Sequence, residues 1–289
     1  MKKILITGAK GQLGSELMAL SAQQPDFQFI ATDVDTLDLT DRHALSHCLK
    51  THQVDYVVNC AAYTAVDKAE DDAALCYKIN RDAVQNLAEA ATENGVRVIH
   101  ISTDYVFDGQ ANTPYKETDA VNPQSVYGSS KLAGEQALQA ACPNSIIIRT
   151  AWLYSTCGNN FVKTMRRLSA ERTELNVVCD QTGTPTYAAD LAQAIVEIIA
   201  FAEREKTFPT GIYHYSNEGT TTWYEFARKI IALAGSNCAV KPIPTAEYPT
   251  KATRPMYSVL DKSKIKRTFE VNIPAWEDAL RRCSAHLEK

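Results

Sequence analysis

The sequence predicts an α/β protein: a Rossmann-type, doubly wound parallel sheet with a smaller C-terminal α/β lobe. In residues 1–150, short apolar runs alternate with helical patterns, which is typical of parallel strands covered by helices on both faces. A glycine loop follows the first apolar run directly. Beyond residue 150 the alternation loosens, although no repeat or long linker separates the rest. We therefore expect a first domain over 1–150 and a second lobe over 151–289, with interleaved segments.

The elements follow one another in a regular order. Strands are predicted at the apolar runs "KKILIT", "FQFIATD", "VDYVVNCAA", "VRVIHIST" and "SIIIRT". Helices are predicted from Gln12 to about Ala22, near Arg42–His52, through "NRDAVQNLAEAATENG" and from Tyr127 onward. In the second lobe, "NNFVKTMRRLSAERTELNVV" predicts a helix and a strand, and "TTTWYEFARKIIALAG" predicts a helix with a threonine cap.

Composition argues against several classes of partner. The net charge of −4 provides no general attraction to nucleic acid or to anionic membranes. No apolar run approaches the roughly 20 residues of a membrane span, and the N-terminal run is too short for a signal peptide. The eight cysteines are scattered, without metal-ligand spacing. We therefore expect a cytoplasmic protein with reduced thiols, no metal site and no nucleic-acid or membrane partner.

The stretch "ITGAKGQLGSEL" places Gly8, Gly11 and Gly14 between the first strand and the first helix. The first glycine permits a tight turn, the second allows backbone N–H groups to approach a pyrophosphate, and the third allows close packing of helix on sheet. Gln12 and Leu13 lie between the last two glycines and belong to the same predicted dinucleotide site. A plain turn after a strand is the alternative, but the strand–loop–helix context favours a cofactor.

The end of the second predicted strand bears on the choice of cofactor. Asp33 lies 19 residues beyond Gly14, where a carboxylate can accept hydrogen bonds from an adenosine ribose. It would also repel a 2′-phosphate, which favours NADH, whereas Lys10 in the glycine loop leaves NADPH open. Asp38 and Leu39 follow in a position suited to the adenine. A turn residue at a strand end is the alternative for Asp33.

Small residues follow the third predicted strand. Ala61 and Ala62 would allow the backbone to pass close to the cofactor, with Tyr63 and Thr64 next in the same loop. A tight loop that binds nothing is the alternative. We predict that all four residues contact the cofactor.

Thr103, Tyr127 and Lys131 form the predicted catalytic group, and Ser102 beside them is predicted to bind the cofactor. Ser102 and Thr103 end the fourth strand at its carboxyl edge, where open parallel sheets bind ligands. Tyr127 and Lys131 lie four residues apart in "VYGSSKLAGE", one turn apart on a helix. A surface pair is the alternative for this spacing alone. Together with the glycine loop and the strand-end hydroxyls, the order predicts acid–base catalysis.

The chemistry requires a change in the pKa of the phenol. A free tyrosine has a pKa of about 10 and exchanges protons poorly at neutral pH. A lysine cation about 4 Å away contributes roughly 4 kcal/mol at an effective dielectric constant of about 20, or some three pKa units. We therefore expect Lys131, together with the positive ring of an oxidised nicotinamide, to move the pKa of Tyr127 towards neutrality.

These residues resemble the extended short-chain dehydrogenase/reductase superfamily, and the resemblance covers nearly the whole chain. Its most specific motifs are "STDYVFDG" and "DQTGTPT"; "NCAAYTAVDKAE", "RTAWLY", "GNNFVKTM", "GTTTWYEFA" and the Arg254–Pro255 pair add to it. The resemblance implies a reductase that passes a hydride from NADH or NADPH to the C4 ketone of a dTDP-linked 4-keto-6-deoxyhexose. That reaction would complete the synthesis of dTDP-L-rhamnose for cell-surface polysaccharide.

The resemblance also implies individual roles. Tyr127 would protonate the new alkoxide, Lys131 would bind the nicotinamide ribose, and Thr103 would tune the pair. Thr103, Asp104 and Trp152 would contact the sugar nucleotide. Some members are described with a magnesium ion at a dimer contact, so Mg²⁺ and a homodimer are implied by resemblance only; no ligand cluster in the sequence establishes the ion.

Second-lobe residues are predicted to complete the substrate site. Trp152 could cover the deoxysugar or could belong to the core. Asn160 enters a helix whose N-terminus suits a diphosphate, and helix capping is the alternative. Arg254 could bind the pyrophosphate through two hydrogen bonds, or could form a surface salt bridge. Trp223 is predicted to serve helix packing and His100 to be a core residue.

Other activities of the same superfamily differ in identifiable residues. Sugar-nucleotide dehydratases carry an acidic pair after the threonine, whereas Asp104 is followed here by Tyr105. A non-catalytic regulatory subunit of the methionine adenosyltransferase type is a second alternative, and it would not need Thr103, Tyr127 and Lys131. A reductase of another nucleotide-linked keto-deoxysugar stays open.

Overall fold

A computed structural model of the protein describes residues 1–287. Its strands are β1 (Lys2–Thr7), β2 (Phe27–Ala31), β3 (Tyr56–Asn59), β4 (Arg97–Thr103), β5 (Ser145–Thr150), β6 (Leu153–Tyr154), β7 (Glu174–Val178), β8 (Thr182–Gly183), β9 (Thr186–Tyr187), β10 (Gly211–His214), β11 (Thr221–Thr222) and β12 (Ala239–Ile243). Its α-helices are α1 (Gln12–Leu20), α2 (Arg42–His52), α3 (Val66–Ala69), α4 (Ala73–Tyr77), α5 (Ala83–Asn94), α6 (Val126–Ala141), α7 (Phe161–Glu171), α8 (Ala188–Glu205), α9 (Trp223–Leu233), α10 (Ser263–Phe269) and α11 (Trp276–Leu287).

The central sheet has the order β10–β5–β4–β3–β1–β2, and every pair of neighbours in it is parallel. From β1 the chain adds one strand on one side and then returns to build the other side, which is the doubly wound arrangement. The predicted α/β class is therefore confirmed. The edge strand β10, which comes from the second half of the chain, was not predicted from the sequence.

Both faces of this sheet are buried, which explains why its strands are continuous apolar runs. Ile4 and Ile6 of β1 face α1 and α8, whereas Leu5 faces the layer of α2 and α5. Each such side chain contributes roughly 1.5–3 kcal/mol when it is fully buried. Among residues 1–287, no helix is long and apolar enough to cross a membrane.

The second lobe has its own apolar core beside the sheet. Side chains of α7, α9 and α11 pack there together with β7, which pairs in parallel with β12. Helix α8 and strand β10 instead return to the central sheet, so the chain crosses between the two parts more than once. The division at residue 150 stays a prediction.

A π-helical turn at Lys78–Asp82 joins α4 to α5 and packs against α6. Gly134 of α6 allows this contact, because a Cβ atom there would lie 2.0 Å from the Asn80 carbonyl oxygen. Turns of this kind frequently accompany functional sites. Here the turn brings the side chain of Asn80 to the loop that follows β3.

Candidate active site

A cavity of about 520 Å³ opens where the carboxyl ends of β1, β3, β4 and β5 meet. It is lined by the residues expected at a cofactor and by those expected at a substrate. The predicted site residues on its wall are Gly8, Gly11, Gln12, Leu13, Gly14, Ala62, Thr64, Ser102, Thr103, Asp104, Tyr127, Lys131 and Trp152. Cys60, Ile101 and Tyr105 also lie on this wall. None of these three was predicted from the sequence as a site residue.

The glycine loop has the geometry that its sequence predicts. Gly8 adopts a φ of 63°, and a Cβ atom there would lie 2.9 Å from the backbone of Ala61. A Cβ atom at Gly14 would lie 2.3 Å from the Gly8 carbonyl oxygen. Helix α1 starts after Gly11 without a side-chain cap, so its first N–H groups point at the cavity without a side-chain acceptor. This cradle fits an anionic diphosphate.

Five predicted cofactor residues do not line the cavity wall: Asp33, Asp38, Leu39, Ala61 and Tyr63. The Asp33 carboxylate accepts hydrogen bonds from the backbone N–H groups of Lys10 (2.9 Å) and Val34 (2.8 Å) at the rim of the glycine loop. Asp38 Oδ1 accepts a hydrogen bond from the Thr40 N–H at 2.8 Å. Leu39 packs against the apolar core between the sheet and the layer of α2 and α5. The ammonium of Lys10 forms an exposed ion pair with Asp35, so it lies beside Asp33.

Asn80 fixes the loop after β3. Its Oδ1 accepts a hydrogen bond from the Tyr63 N–H at 2.9 Å, and its Nδ2 donates to the Tyr63 carbonyl oxygen at 3.1 Å. Nδ2 also donates to Ser130 Oγ on α6 at 3.0 Å. Ala61 lies behind Gly8, and the Tyr63 hydroxyl is buried without a partner in the described chain. Sequence reasoning missed Asn80, because its partner lies 17 residues away.

Tyr127 lies in the first turn of α6, which Ser125 caps by accepting a hydrogen bond from the Gly128 N–H. The ring of Tyr105 packs edge-on against Tyr127 at a centroid distance of 5.5 Å. Burial raises the pKa of Tyr127 above its usual value, and a hydrogen bond with Thr103 opposes this. The expected fall towards neutrality is therefore not present in the protein alone, because burial and the neighbouring Asp104 outweigh the hydrogen bond with Thr103 in their effect on this pKa.

Lys131 is only 2% exposed, and its ammonium nitrogen is held beneath the cavity. Nζ donates to the Ile101 carbonyl oxygen at 2.7 Å and lies 3.3 Å from His100 Nε2. Burial lowers the pKa of Lys131 to about 8, so this side chain loses its charge more readily than a free lysine does. His100 is buried, as predicted for a core residue, but it also contacts a predicted catalytic side chain.

Asp104 and Ser102 bring unpaired polar atoms to the cavity. Asp104 Oδ1 accepts a hydrogen bond from Thr103 Oγ1 at 3.0 Å. Asp104 Oδ2 and Ser102 Oγ are buried with no partner in the described part of the chain. Burial raises the pKa of Asp104 to about 6. Unsatisfied buried polar atoms on a cavity wall are what a polar ligand would satisfy.

Of the three predicted substrate residues in the second lobe, one lines the cavity. Trp152 does so and stacks on Trp223 at 3.6 Å, which agrees with the packing role predicted for the latter. Asn160 caps α7 and donates to Gln12 Oε1 at 3.0 Å, which links the lobe to the glycine loop. Arg254 pairs with Asp67 at 2.6 Å, near the mouth of the cavity.

A family model described as the RmlD substrate binding domain matches residues 1–289. The chain belongs to this family. A curated dTDP-4-dehydrorhamnose reductase from Aggregatibacter actinomycetemcomitans is 41% identical over 294 residues, with 100% of both chains covered. The match agrees with the resemblance that the sequence motifs indicate.

Solved structures of family relatives superpose closely on this fold. A dTDP-4-dehydrorhamnose reductase from Clostridium acetobutylicum gives a TM-score of 0.94 at 44% identity, covering 99% of this chain and 100% of that chain. One from Bacillus anthracis, in complex with NADP, gives 0.93 at 39% identity with the same coverage. Within residues 1–287, no cluster of three or more His, Cys, Asp or Glu side chains is arranged to hold a metal ion.

Replacement of Asp104 by asparagine should stabilise the protein in a pH-dependent way. The folded-state pKa of about 6 lies above the usual value, so the stability contributed by the protonated carboxyl is present below about pH 4 and lost as the pH rises through 6. Above pH 7, Asp104→Asn should therefore raise the free energy of unfolding by about 2–3 kcal/mol. Urea unfolding at pH 4 and pH 7.5 measures this difference.

The exposed Asp26 provides the matched control, since Asp26→Asn should leave the free energy of unfolding nearly unchanged at both pH values. An equal effect of Asp104→Asn at pH 4 and pH 7.5 would show that ionisation of Asp104 does not destabilise the fold.

Proposed function

We propose that this protein catalyses the NAD(P)H-dependent reduction of dTDP-4-dehydro-L-rhamnose to dTDP-L-rhamnose. The observation that carries the proposal is the placement of Thr103, Tyr127 and Lys131 on one cavity wall with the glycine loop. The names of the family relatives support the same substrate and reaction. A binding-only role, as in a regulatory subunit, has no use for a proton donor at this position.

When bound, the nicotinamide cofactor would supply a hydride to C4 of the keto sugar, and the protein would supply the proton. As C4 gains the hydride, the C4–O π bond would break and its electron pair would pass to the oxygen, which would become an alkoxide. Tyr127 gives its phenolic proton to that oxygen. Thr103 holds the oxygen and the phenol together through its hydroxyl group, consistent with its hydrogen bond to Tyr127. The charged form of Lys131 stabilises the phenolate that results.

The cofactor diphosphate would bind at Gly11, Gln12 and Leu13, where α1 presents uncapped N–H groups. The buried Ser102 hydroxyl and the backbone at Ala62 would border the nicotinamide half. Other predicted contacts are Gly8, Gly14, Asp33, Asp38, Leu39, Ala61, Tyr63 and Thr64. Lys10 could leave its exposed pair with Asp35 to meet a 2′-phosphate, which supports use of NADPH as well as NADH.

The sugar nucleotide would occupy the half of the cavity nearer the second lobe. Asp104 would satisfy its unpaired oxygen with a sugar hydroxyl, and Trp152 would cover the deoxysugar. Arg254 would leave its ion pair with Asp67 and bind the diphosphate instead, and Asn160 would lie near the same group. The homodimer, the cytoplasmic location and the Mg²⁺ ion implied by resemblance stay predictions. No observation favours elimination of water, since Tyr105 occupies the position of the second acid.

Steady-state oxidation of NADH and NADPH, with the dTDP-linked 4-keto-6-deoxyhexose and its UDP counterpart as substrates, tests the reaction. Tyr127→Phe should lower kcat by at least 100-fold and leave NADH binding nearly unchanged, because general acid catalysis contributes about 10²–10⁴-fold and the change removes one oxygen. A variant that keeps more than about a tenth of the wild-type kcat would rule out this role of Tyr127.

Asp33 should set the choice between the two cofactors. We expect Asp33→Ala to weaken NADH binding and to favour NADPH, because the ribose hydrogen bonds and the repulsion of a 2′-phosphate are lost together. The ratio of kcat/KM for NADH to that for NADPH measures the effect, with Asp26→Ala, which removes an exposed carboxylate at the opposite end of β2, as the control. An unchanged ratio in Asp33→Ala would place Asp33 away from the ribose.

A further inference from the structure

A chain of buried polar side chains runs behind Lys131, across three neighbouring strands. Thr7 Oγ1 on β1 donates to Asn59 Oδ1 on β3 at 2.7 Å. Asn59 Nδ2 lies 3.0 Å from His100 Nδ1 on β4, and His100 Nε2 lies 3.3 Å from Lys131 Nζ. All four side chains are almost fully buried, with at most 2% of each exposed. The reaction described above makes no use of Thr7, Asn59 or His100.

The orientation of the Asn59 amide is set by a backbone donor. The N–H group of Ala61 donates to Asn59 Oδ1 at 3.2 Å, and a backbone N–H cannot accept a hydrogen bond. The opposite orientation would place the Asn59 NH₂ group against this N–H. Oδ1 therefore faces Ala61 and Thr7, and the NH₂ group faces His100.

This orientation determines which nitrogen of His100 carries hydrogen. His100 Nδ1 must accept a hydrogen bond from the Asn59 NH₂ group, so it carries no hydrogen. Burial lowers the pKa of His100 well below its usual value, so the ring is neutral. A neutral imidazole without hydrogen on Nδ1 carries it on Nε2. The Nε2–H group consequently points at Lys131.

The contact between His100 and Lys131 then requires a lone pair on the lysine. An ammonium group has hydrogens only, and it would oppose the Nε2–H group of His100. A neutral amine can accept this hydrogen and still donate to the Ile101 carbonyl oxygen, 2.7 Å away. Only the uncharged amine can therefore form both of these hydrogen bonds at Nζ.

Other groups that face Lys131 do not reverse this preference. The Cys60 and Cys76 thiols approach from the end of β3 and from α4, and burial raises the pKa of both, so they are uncharged at neutral pH. Glu135 lies one turn further along α6, and its carboxylate is held by Arg149 through hydrogen bonds of 2.9 and 2.7 Å. Tyr127, one turn earlier, is protonated in the empty site.

We propose that Asn59 and His100 are positioning residues for Lys131: Asn59 fixes the Nε2–H tautomer of His100, which favours the uncharged form of the lysine beneath the empty cavity. Protonation of Lys131 breaks this contact and frees the ammonium to turn towards Tyr127 and the cofactor. The inference rests on the proposed function for the role of Lys131, but the tautomer and the contact can be tested in the empty protein.

Nitrogen-15 NMR of histidine-labelled protein reports the tautomer of His100 directly. In the wild-type protein, Nδ1 should give the signal of an unprotonated ring nitrogen and Nε2 that of an N–H nitrogen. In Asn59→Asp, the carboxylate accepts from Nδ1–H and the tautomer should reverse, while the contacts with Thr7 and Ala61 persist. Thr7→Val, which leaves the Ala61 N–H bond intact, should keep the wild-type tautomer.

The same variants should change the titration of Lys131, followed by NMR of labelled lysine side chains with Lys131→Met for assignment. In the reversed tautomer, His100 Nε2 presents a lone pair to the Lys131 ammonium and stabilises it. The midpoint of the Lys131 titration should therefore rise by about one pH unit or more in Asn59→Asp. His100→Gln, whose amide oxygen can accept from the ammonium without adding charge, should also raise it. His100→Phe offers no acceptor and should not reproduce the rise.

A wild-type His100 that carries its hydrogen on Nδ1 would overturn the inference, even if no variant folds. So would a Lys131 midpoint that is equal in the wild-type protein, Asn59→Asp and His100→Gln. These measurements need neither cofactor nor substrate. Absence of keto-sugar reduction together with the expected tautomer would refute the proposed function and leave this inference standing.

Discussion

The parallel register of the central sheet is the constraint on which the site depends. In that register Thr7 lies opposite Asn59, Asn59 opposite His100, and Thr103 opposite Thr150. Thr7, Asn59, Thr103 and Thr150 end their strands at one edge, because parallel strands share a direction, and His100 lies three residues before the end of β4. A shift of one strand by a single residue would turn its polar side chains to the other face and dismantle the site. The apolar residues buried on both faces hold this register in place.

The polar groups buried at the site that this register builds lower the stability of the fold. Tyr127, Lys131 and Asp104 each have a pKa displaced in the direction that burial imposes on an ionisable group. Two polar atoms, Asp104 Oδ2 and Ser102 Oγ, have no partner in the chain as described. A bound cofactor and sugar nucleotide would satisfy these atoms. The protein therefore gives up part of its stability to a preformed polar cavity, a common feature of catalytic sites.

Much of this arrangement could be predicted from local sequence. The order of strands and helices in the first domain, the glycine loop, and the helix that opens at Tyr127 depend on residues close together in the chain. The hydroxyl groups of Ser102 and Thr103 could be placed at a strand end for the same reason. These features follow from hydrophobic periodicity and from the turn requirements of glycine, which a single sequence displays.

The features that sequence reasoning missed depend on distant partners. Strand β10 joins the sheet more than 60 residues after β5, and its four residues are too few to show the apolar pattern of a strand. The pair of Arg254 and Asp67 joins residues 187 positions apart. His100 has the sequence context of a core residue, and its contact with Lys131 becomes visible only in three dimensions. The raised pKa of Tyr127 in the empty site could not be predicted either, because the sequence shows a nearby lysine but not the burial of the phenol.

Transfer of deuterium tests most directly whether this cavity performs hydride reduction at C4. The enzyme would be incubated with dTDP-4-dehydro-L-rhamnose and NADH or NADPH that carries deuterium at the reactive C4 position of the nicotinamide. Proton and deuterium NMR of the sugar product would then locate the label. The account predicts deuterium at C4 of dTDP-L-rhamnose, with the hydroxyl hydrogen drawn from the protein and the solvent. Deuterium retained in the nicotinamide, or a product labelled at another carbon, would contradict it.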